Sequence, residues 1–192
     1  EDNPRGGFPP VVSSTEMRQI AVAVHSDAEG ELGQKIERFV KRLSEICPDA
    51  LVLVGGYWGY MKEVVDHALG HGLKVVAFLP IEKEWTALPP GVMAVRSGCE
   101  YRCRSVLLVR SSDAVVVLGG GVGTAIEAFM AYAMGRPLYV LTNSGMPTDR
   151  LSEAYPEYFD ERKAVRIVYT TEPELLAELA CRAERPAARD FG

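Results

Sequence analysis

From Arg18 onward the chain alternates short apolar, β-branched runs with longer amphipathic stretches. That alternation predicts an α/β fold of Rossmann-like, doubly wound type, a mostly parallel sheet with helices on both faces. Strands are expected at residues 20–24, 51–54, 74–79, 114–118, 138–141 and 165–169, with a shorter one at 92–95. The run Ala114-Val115-Val116-Val117-Leu118 is the most continuously apolar and belongs at the centre, buried on both sides. Leu32, Ile36, Phe39, Val40 and Leu43 recur at three and four residues, so a helix follows the first strand and ends before Pro48. Further helices are predicted through Val64, Val65 and Ala68, over roughly 100–109, over 124–134, and after Thr171.

Residues 1–17 are rich in Pro, Gly and Ser and read as a flexible arm, 18–185 as one domain, and 186–192 as a loose tail. A chain of 192 residues can bury enough apolar surface to fold without staples. A net charge of -5 argues against nucleic acid or an anionic membrane as partner, since both need a positive surface field. The polar N-terminal stretch lacks the order of a secretory signal and no apolar run reaches membrane length, so a cytoplasmic protein is expected. Cysteines at 47, 99, 103 and 181 lack zinc-ligand spacing, so neither a metal nor a disulfide framework is expected.

Two glycine-rich turns follow predicted strands. They are Gly55-Gly56-Tyr57-Trp58-Gly59 after Val54, and Gly119-Gly120-Gly121-Val122-Gly123-Thr124 after Leu118. Ligands of doubly wound sheets bind at such strand ends, and the amides of a helix start attract anions. The second turn lacks the Lys of a Walker A loop, and Ile126 stands where a dinucleotide fingerprint has its third Gly. Glu127 lies in the first turn of the following helix, so its carboxylate either faces the cleft or closes a Thr-x-x-Glu capping box. Thr171 and Glu174 repeat that spacing without glycines and are expected to be a cap.

The stretch Arg104 to Glu127, with Ser112-Asp113-Ala114 and Gly120-Gly121-Val122-Gly123-Thr124-Ala125-Ile126-Glu127, resembles the LOG family and its Pro-Gly-Gly-x-Gly-Thr-x-x-Glu signature. Gly55-Gly56-Tyr57-Trp58-Gly59-Tyr60-Met61 is similar to that family's earlier Gly-Gly-Gly-x-x-Gly-Leu-Met turn. The resemblance implies a homodimer that binds nucleoside 5′-monophosphates, and in the enzymes of the family hydrolyses their N-glycosidic bond. It implies phosphate binding by Gly120, Gly121, Gly123 and Thr124, catalytic roles for Glu127 and Arg104, and further ligand contacts from Gly55, Gly56, Gly59 and Ser26. No lysine flanks either turn, so the family's older label of lysine decarboxylase does not carry over.

Departures from the pattern point to the branch of molybdenum cofactor carrier proteins. The family's Pro is Gly119 here, its Met is Tyr101, its Lys is Ser105, and the first Gly of the earlier turn is Val54. The expected ligand is therefore a small phosphorylated heterocycle, a nucleotide, free phosphate or a molybdopterin-type group, with no cofactor required. Tyr57, Trp58 and Tyr60 are expected either to stack on its ring or, equally, to pack in the core or at a dimer contact. His25 at a strand end is expected to be hydrogen-bonded rather than ligand-bound, and His67 and His71 to end a fraying helix rather than hold a metal. Phe129, Met130, Tyr132 and Met134 are expected to pack internally or between subunits, and Arg102 and Arg110 to lie on a solvated helix face.

Overall fold

The computed structural model describes residues 17–28 and 30–184. The proposed arm up to residue 16 and the tail from residue 185 lie outside them. Seven strands form one sheet in the order β4-β3-β2-β1-β5-β6-β7. They are β1 Gln19–Val24, β2 Leu51–Val54, β3 Lys74–Leu79, β4 Val92–Arg96, β5 Ala114–Gly119, β6 Leu138–Leu141 and β7 Ile167–Thr170. Every neighbouring pair is parallel, so the sheet is wholly rather than mostly parallel.

Helices α1 Leu32–Ile46, α2 Gly59–Gly70 and α6 Pro173–Arg182 cover one face, and α3 Tyr101–Arg110 and α4 Val122–Ala133 cover the other. The two-residue period of the strands explains the division. Ile20, Val22, Val52, Val54, Val116 and Leu118 point to α1, α2 and α6, whereas Ala21, Ala23, Leu53, Val115 and Val117 point to α3 and α4. All six residues of β5 are buried, which is why that run needed to be apolar throughout.

After β4 at one edge the chain crosses back and lays β5 beside β1, so strand order reverses between these two strands. Their carboxyl ends diverge into the β1–α1 and β5–α4 connections, the crevice where open parallel sheets bind ligands. At the opposite, amino ends of β1 and β5, Asp113 of the LOG-like stretch ties the two strands together. The Gln19 amide donates to the Asp113 carboxylate at 2.8 Å, and the Asp113 amide donates to the Gln19 carbonyl at 2.7 Å.

The structure corrects several expectations. Helix α4 begins at Val122, and β7 begins at Ile167, two residues later than its apolar run. Short 3-10 turns at Ile81–Lys83 and Pro147–Arg150 and the one-turn α5 Leu151–Ala154 have no counterpart in the sequence reading, because four residues are too few to show a helical period. Disulfides also occur, joining Cys47 to Cys181 and Cys99 to Cys103. The first pair is 134 residues apart in sequence and meets because α1 lies along α6. No local spacing could have announced it.

Candidate functional site

A cavity of about 340 Å³ opens at the reversal point, lined by Val24, His25 and Ser26 from the end of β1 and by the start of α4. Trp58 and Met61 of the α2 region, and Tyr101, Arg102 and Arg104 of α3, close the other side. Glu127 lies within it.

The start of α4 is bare. Gly121 is the residue before the helix and no side chain caps it, so the amides of Val122, Gly123 and Thr124 meet no acceptor within the helix. The capping-box alternative for Thr124 and Glu127 therefore does not hold. Glu127 makes no cap bond at the helix start, and its carboxylate accepts from Ser105 Oγ at 3.4 Å. Thr171 and Glu174 make no capping box either, since Glu174 pairs with Arg38 on α1 at 2.7 Å.

Gly120 is placed differently from its expected role. Its amide donates to Thr148 Oγ1 at 3.0 Å, and its carbonyl accepts from the Thr148 amide at 3.1 Å. With both groups engaged in fold contacts, Gly120 supports the loop, while Gly121, Gly123 and Thr124 line the cavity. Thr148 is 2 % exposed and lies in a 3-10 turn. No sequence signal identified it.

The earlier glycine turn also works indirectly. A Cβ on Gly55 would lie 2.0 Å from Arg104 Nη1 and 2.8 Å from its Cζ, so this glycine makes room for the guanidinium, which donates to the Gly55 carbonyl. A Cβ on Gly56 would meet the Trp58 ring, and one on Gly59 the Ser26 carbonyl. These three glycines seat Arg104, Trp58 and Ser26 rather than lining the cavity themselves. Of the aromatic candidates only Trp58 faces it. The Tyr57 hydroxyl donates to Asp66 at 2.6 Å, and Tyr60 is buried in the core.

Arg104 is 5 % exposed and its Nε has no hydrogen-bond partner. Burial lowers its pKa, against the opposing pull of Glu127. Arginine nevertheless stays charged. Burial raises the Glu127 pKa, with Arg104 and Arg102 pulling it down less strongly. Arg102 was expected on a solvated face, yet its Nη1 is buried without a partner and its side chain lines the cavity. Glu100 fixes the α3 turn that carries both arginines, its carboxylate accepting from the amides of Arg102 at 2.8 Å and Cys103 at 2.6 Å.

The remaining candidates lie elsewhere. His25 lines the cavity and its amide donates to the Gly119 carbonyl at 2.9 Å, while His67 and His71 lie at the end of α2. Among the described residues no group of three or more His, Cys, Asp or Glu is arranged to hold a metal. Arg110 ends α3 on the exposed side. Phe129 stacks on Phe159 at 4.1 Å, and the Tyr132 hydroxyl donates to Asp160 at 2.9 Å.

A wholly parallel doubly wound sheet, a glycine loop at its reversal point and a bare helix start facing a cavity define a Rossmann-like protein of the LOG type. The chain belongs to the SLOG cluster4 family, whose sequence model matches residues 19–177. It is similar to an uncharacterized protein of Archaeoglobus fulgidus, 31% identical over 110 residues, covering 56% of this chain and 71% of the relative. Among solved structures, TM1055 superimposes with a TM-score of 0.74 at 30% identity, covering 85% of this chain and 98% of that one. The molybdenum cofactor binding protein of Rippkaea orientalis superimposes with a TM-score of 0.70 at 23% identity, over 86% and 96% of the two chains, a likeness of fold.

Proposed function

We propose that this protein binds a small phosphorylated heterocycle, of nucleotide or molybdopterin type, with its phosphate at the start of α4. The observation that carries this is the uncapped helix start opening into a cavity beside a buried guanidinium with an unpartnered nitrogen. Oriented amides and a buried cation together form an anion site, and a phosphate oxygen supplies the acceptors that both lack. Trp58 and Tyr101 offer apolar faces to a flat ring. Calorimetric titration with AMP, GMP, CMP, UMP and a pterin phosphate tests the proposal. Binding of a phosphorylated heterocycle is expected, and no heat or thermal shift with any of them would refute it.

Turnover is the second reading, favoured by Glu127 lining the cavity with a raised pKa. A carboxyl that keeps its proton suits general acid catalysis. In hydrolysis, water would add to C1′ of the ribose as the C1′–N bond breaks, the base would leave with a proton from Glu127, and the proton lost by the water would return to the Glu127 carboxylate, to give free base and ribose 5-phosphate. Chromatography for free base, with Glu127→Ala as control, separates an enzyme from a carrier. A homodimer belongs to the same proposal, since α4 presents Val122 and Phe129 to solvent and its sole charged residue, Glu127, faces inward.

A further inference from the structure

Arg102 falls between Tyr101 and Arg104, which stand where the LOG family has its Met and its Arg, and itself matches no residue of that pattern, yet it lies against the glycine loop. Its Nη2 and Nη1 are 3.5 and 3.8 Å from where a Cβ on Gly123 would stand, so the guanidinium lies over the first turn of α4. Nη1 is buried without a partner, and Arg104 Nε on the same wall is too. Buried donors left unpaired in a fold are rare and costly, and the two arginines that carry these line one cavity. Two guanidinium groups face the single acidic side chain that lines it, Glu127, and no ion pair joins either arginine to it among the described residues.

We propose that Arg102 is the phosphate-reading residue of this site, closing with the amides of Val122, Gly123 and Thr124 a two-sided clamp that selects phosphate monoesters over the same molecules without phosphate. The inference rests on the binding reading above and assigns its specificity to one side chain. A guanidinium fork meets two phosphate oxygens at once while the α4 amides meet the others, so a dianion satisfies both walls together. Arg104, held by the Gly55 carbonyl on one side, keeps Nε for a second acceptor on the ligand, an oxygen or ring nitrogen of the heterocycle. The α3 start survives loss of the Arg102 side chain, because Glu100 caps the turn through backbone amides alone.

Calorimetry on the wild type, Arg102→Gln and Arg102→Lys tests this, with AMP and GMP against adenosine and guanosine, and ribose 5-phosphate as a base-free probe. The wild type should prefer each phosphate over its nucleoside. Arg102→Gln should weaken phosphate ligands about 10- to 100-fold, the scale of a charged hydrogen-bond pair, and leave nucleoside affinity unchanged. Arg102→Lys should recover part of the loss, since a lysine restores charge without the fork. A merely structural role would weaken nucleotide and nucleoside alike. An unchanged ratio of phosphate to nucleoside affinity in Arg102→Gln overturns the assignment to Arg102 while leaving the binding reading intact. A wild type that binds none of these ligands overturns the assignment to Arg102, and one that also fails to bind a pterin phosphate overturns the binding reading with it.

Discussion

Replacing Glu127 with Gln should stabilise the protein, and increasingly so as pH rises. The Glu127 side chain is buried, its one hydrogen bond comes from Ser105 Oγ at 3.4 Å, and no ion pair joins it among the described residues. Burial therefore raises its pKa above the ordinary 4.5 despite Arg104 and Arg102. A native pKa above the unfolded one means that the folded state holds the proton longer. The associated stability is fully present below 4.5 and is lost as pH climbs through the native value. The slope for one proton is at most about 1.4 kcal/mol per pH unit, and each unit of displacement costs about 1.4 kcal/mol once the group is forced to ionise. Glutamine keeps the shape and the acceptor for Ser105 but carries no charge. Urea unfolding of both proteins from pH 4.5 to 8 isolates the effect, since Asp66, Glu100, Asp160 and Glu174, all lowered, contribute equally to both. The wild type should fall progressively below Glu127→Gln and then run parallel. Lines parallel throughout, or a wild type that gains on the variant with pH, would refute a proton-holding Glu127 and with it the acid role under the second reading.

Gly55→Ala should displace the Arg104 guanidinium, because the new methyl lands 2.0 Å from Nη1. The expected loss is about 1.5–3 kcal/mol, that of a charged hydrogen bond, in titrated ligand affinity. Thr148→Val should leave the buried Gly120 amide without an acceptor and cost about 1–3 kcal/mol, or about 2–12 °C in melting temperature, read by calorimetric melting. Breaking the Cys47–Cys181 link with Cys181→Ala should lower unfolding stability by about 2–4 kcal/mol, since it frees a 134-residue loop in the unfolded chain. Equal denaturant midpoints for variant and wild type would contradict it.

Strand periodicity made the sheet legible because each strand alternates between the two cores it feeds, as Ile20 and Val22 do against Ala21 and Ala23. The glycine loop was legible for the same local reason, a strand end, small residues and a helix start in one short run. What the sequence hid are contacts between distant segments. Thr148 reaches Gly120 across 28 positions, and Arg104 reaches Gly55 across 49. Arg102 was misread because a charge near a helix start is ordinarily solvated, and only the packing of α3 beside α4 brings it over Gly123.

Gly119 shows how the loop keeps its aim after departing from the LOG signature. Its φ is +114°, a conformation closed to proline, whose ring fixes φ near −65°. The backbone at this residue therefore follows a path that the signature's Pro does not allow, and a Cβ there would lie 2.6 Å from Ser144 Oγ. Proline stiffens a turn from within, by removing alternatives to the unfolded chain. Here the stiffness comes from outside, through the His25 amide on the Gly119 carbonyl and the two Thr148 bonds on Gly120. Thr148 is itself placed by a tight turn in which Asp149 accepts from the amides of Ser144 at 3.0 Å and Gly145 at 2.9 Å and from Ser144 Oγ at 2.6 Å. The direction of the α4 amides thus depends on the segment after β6, and substitutions at Asp149 should weaken phosphate binding without touching the ligand.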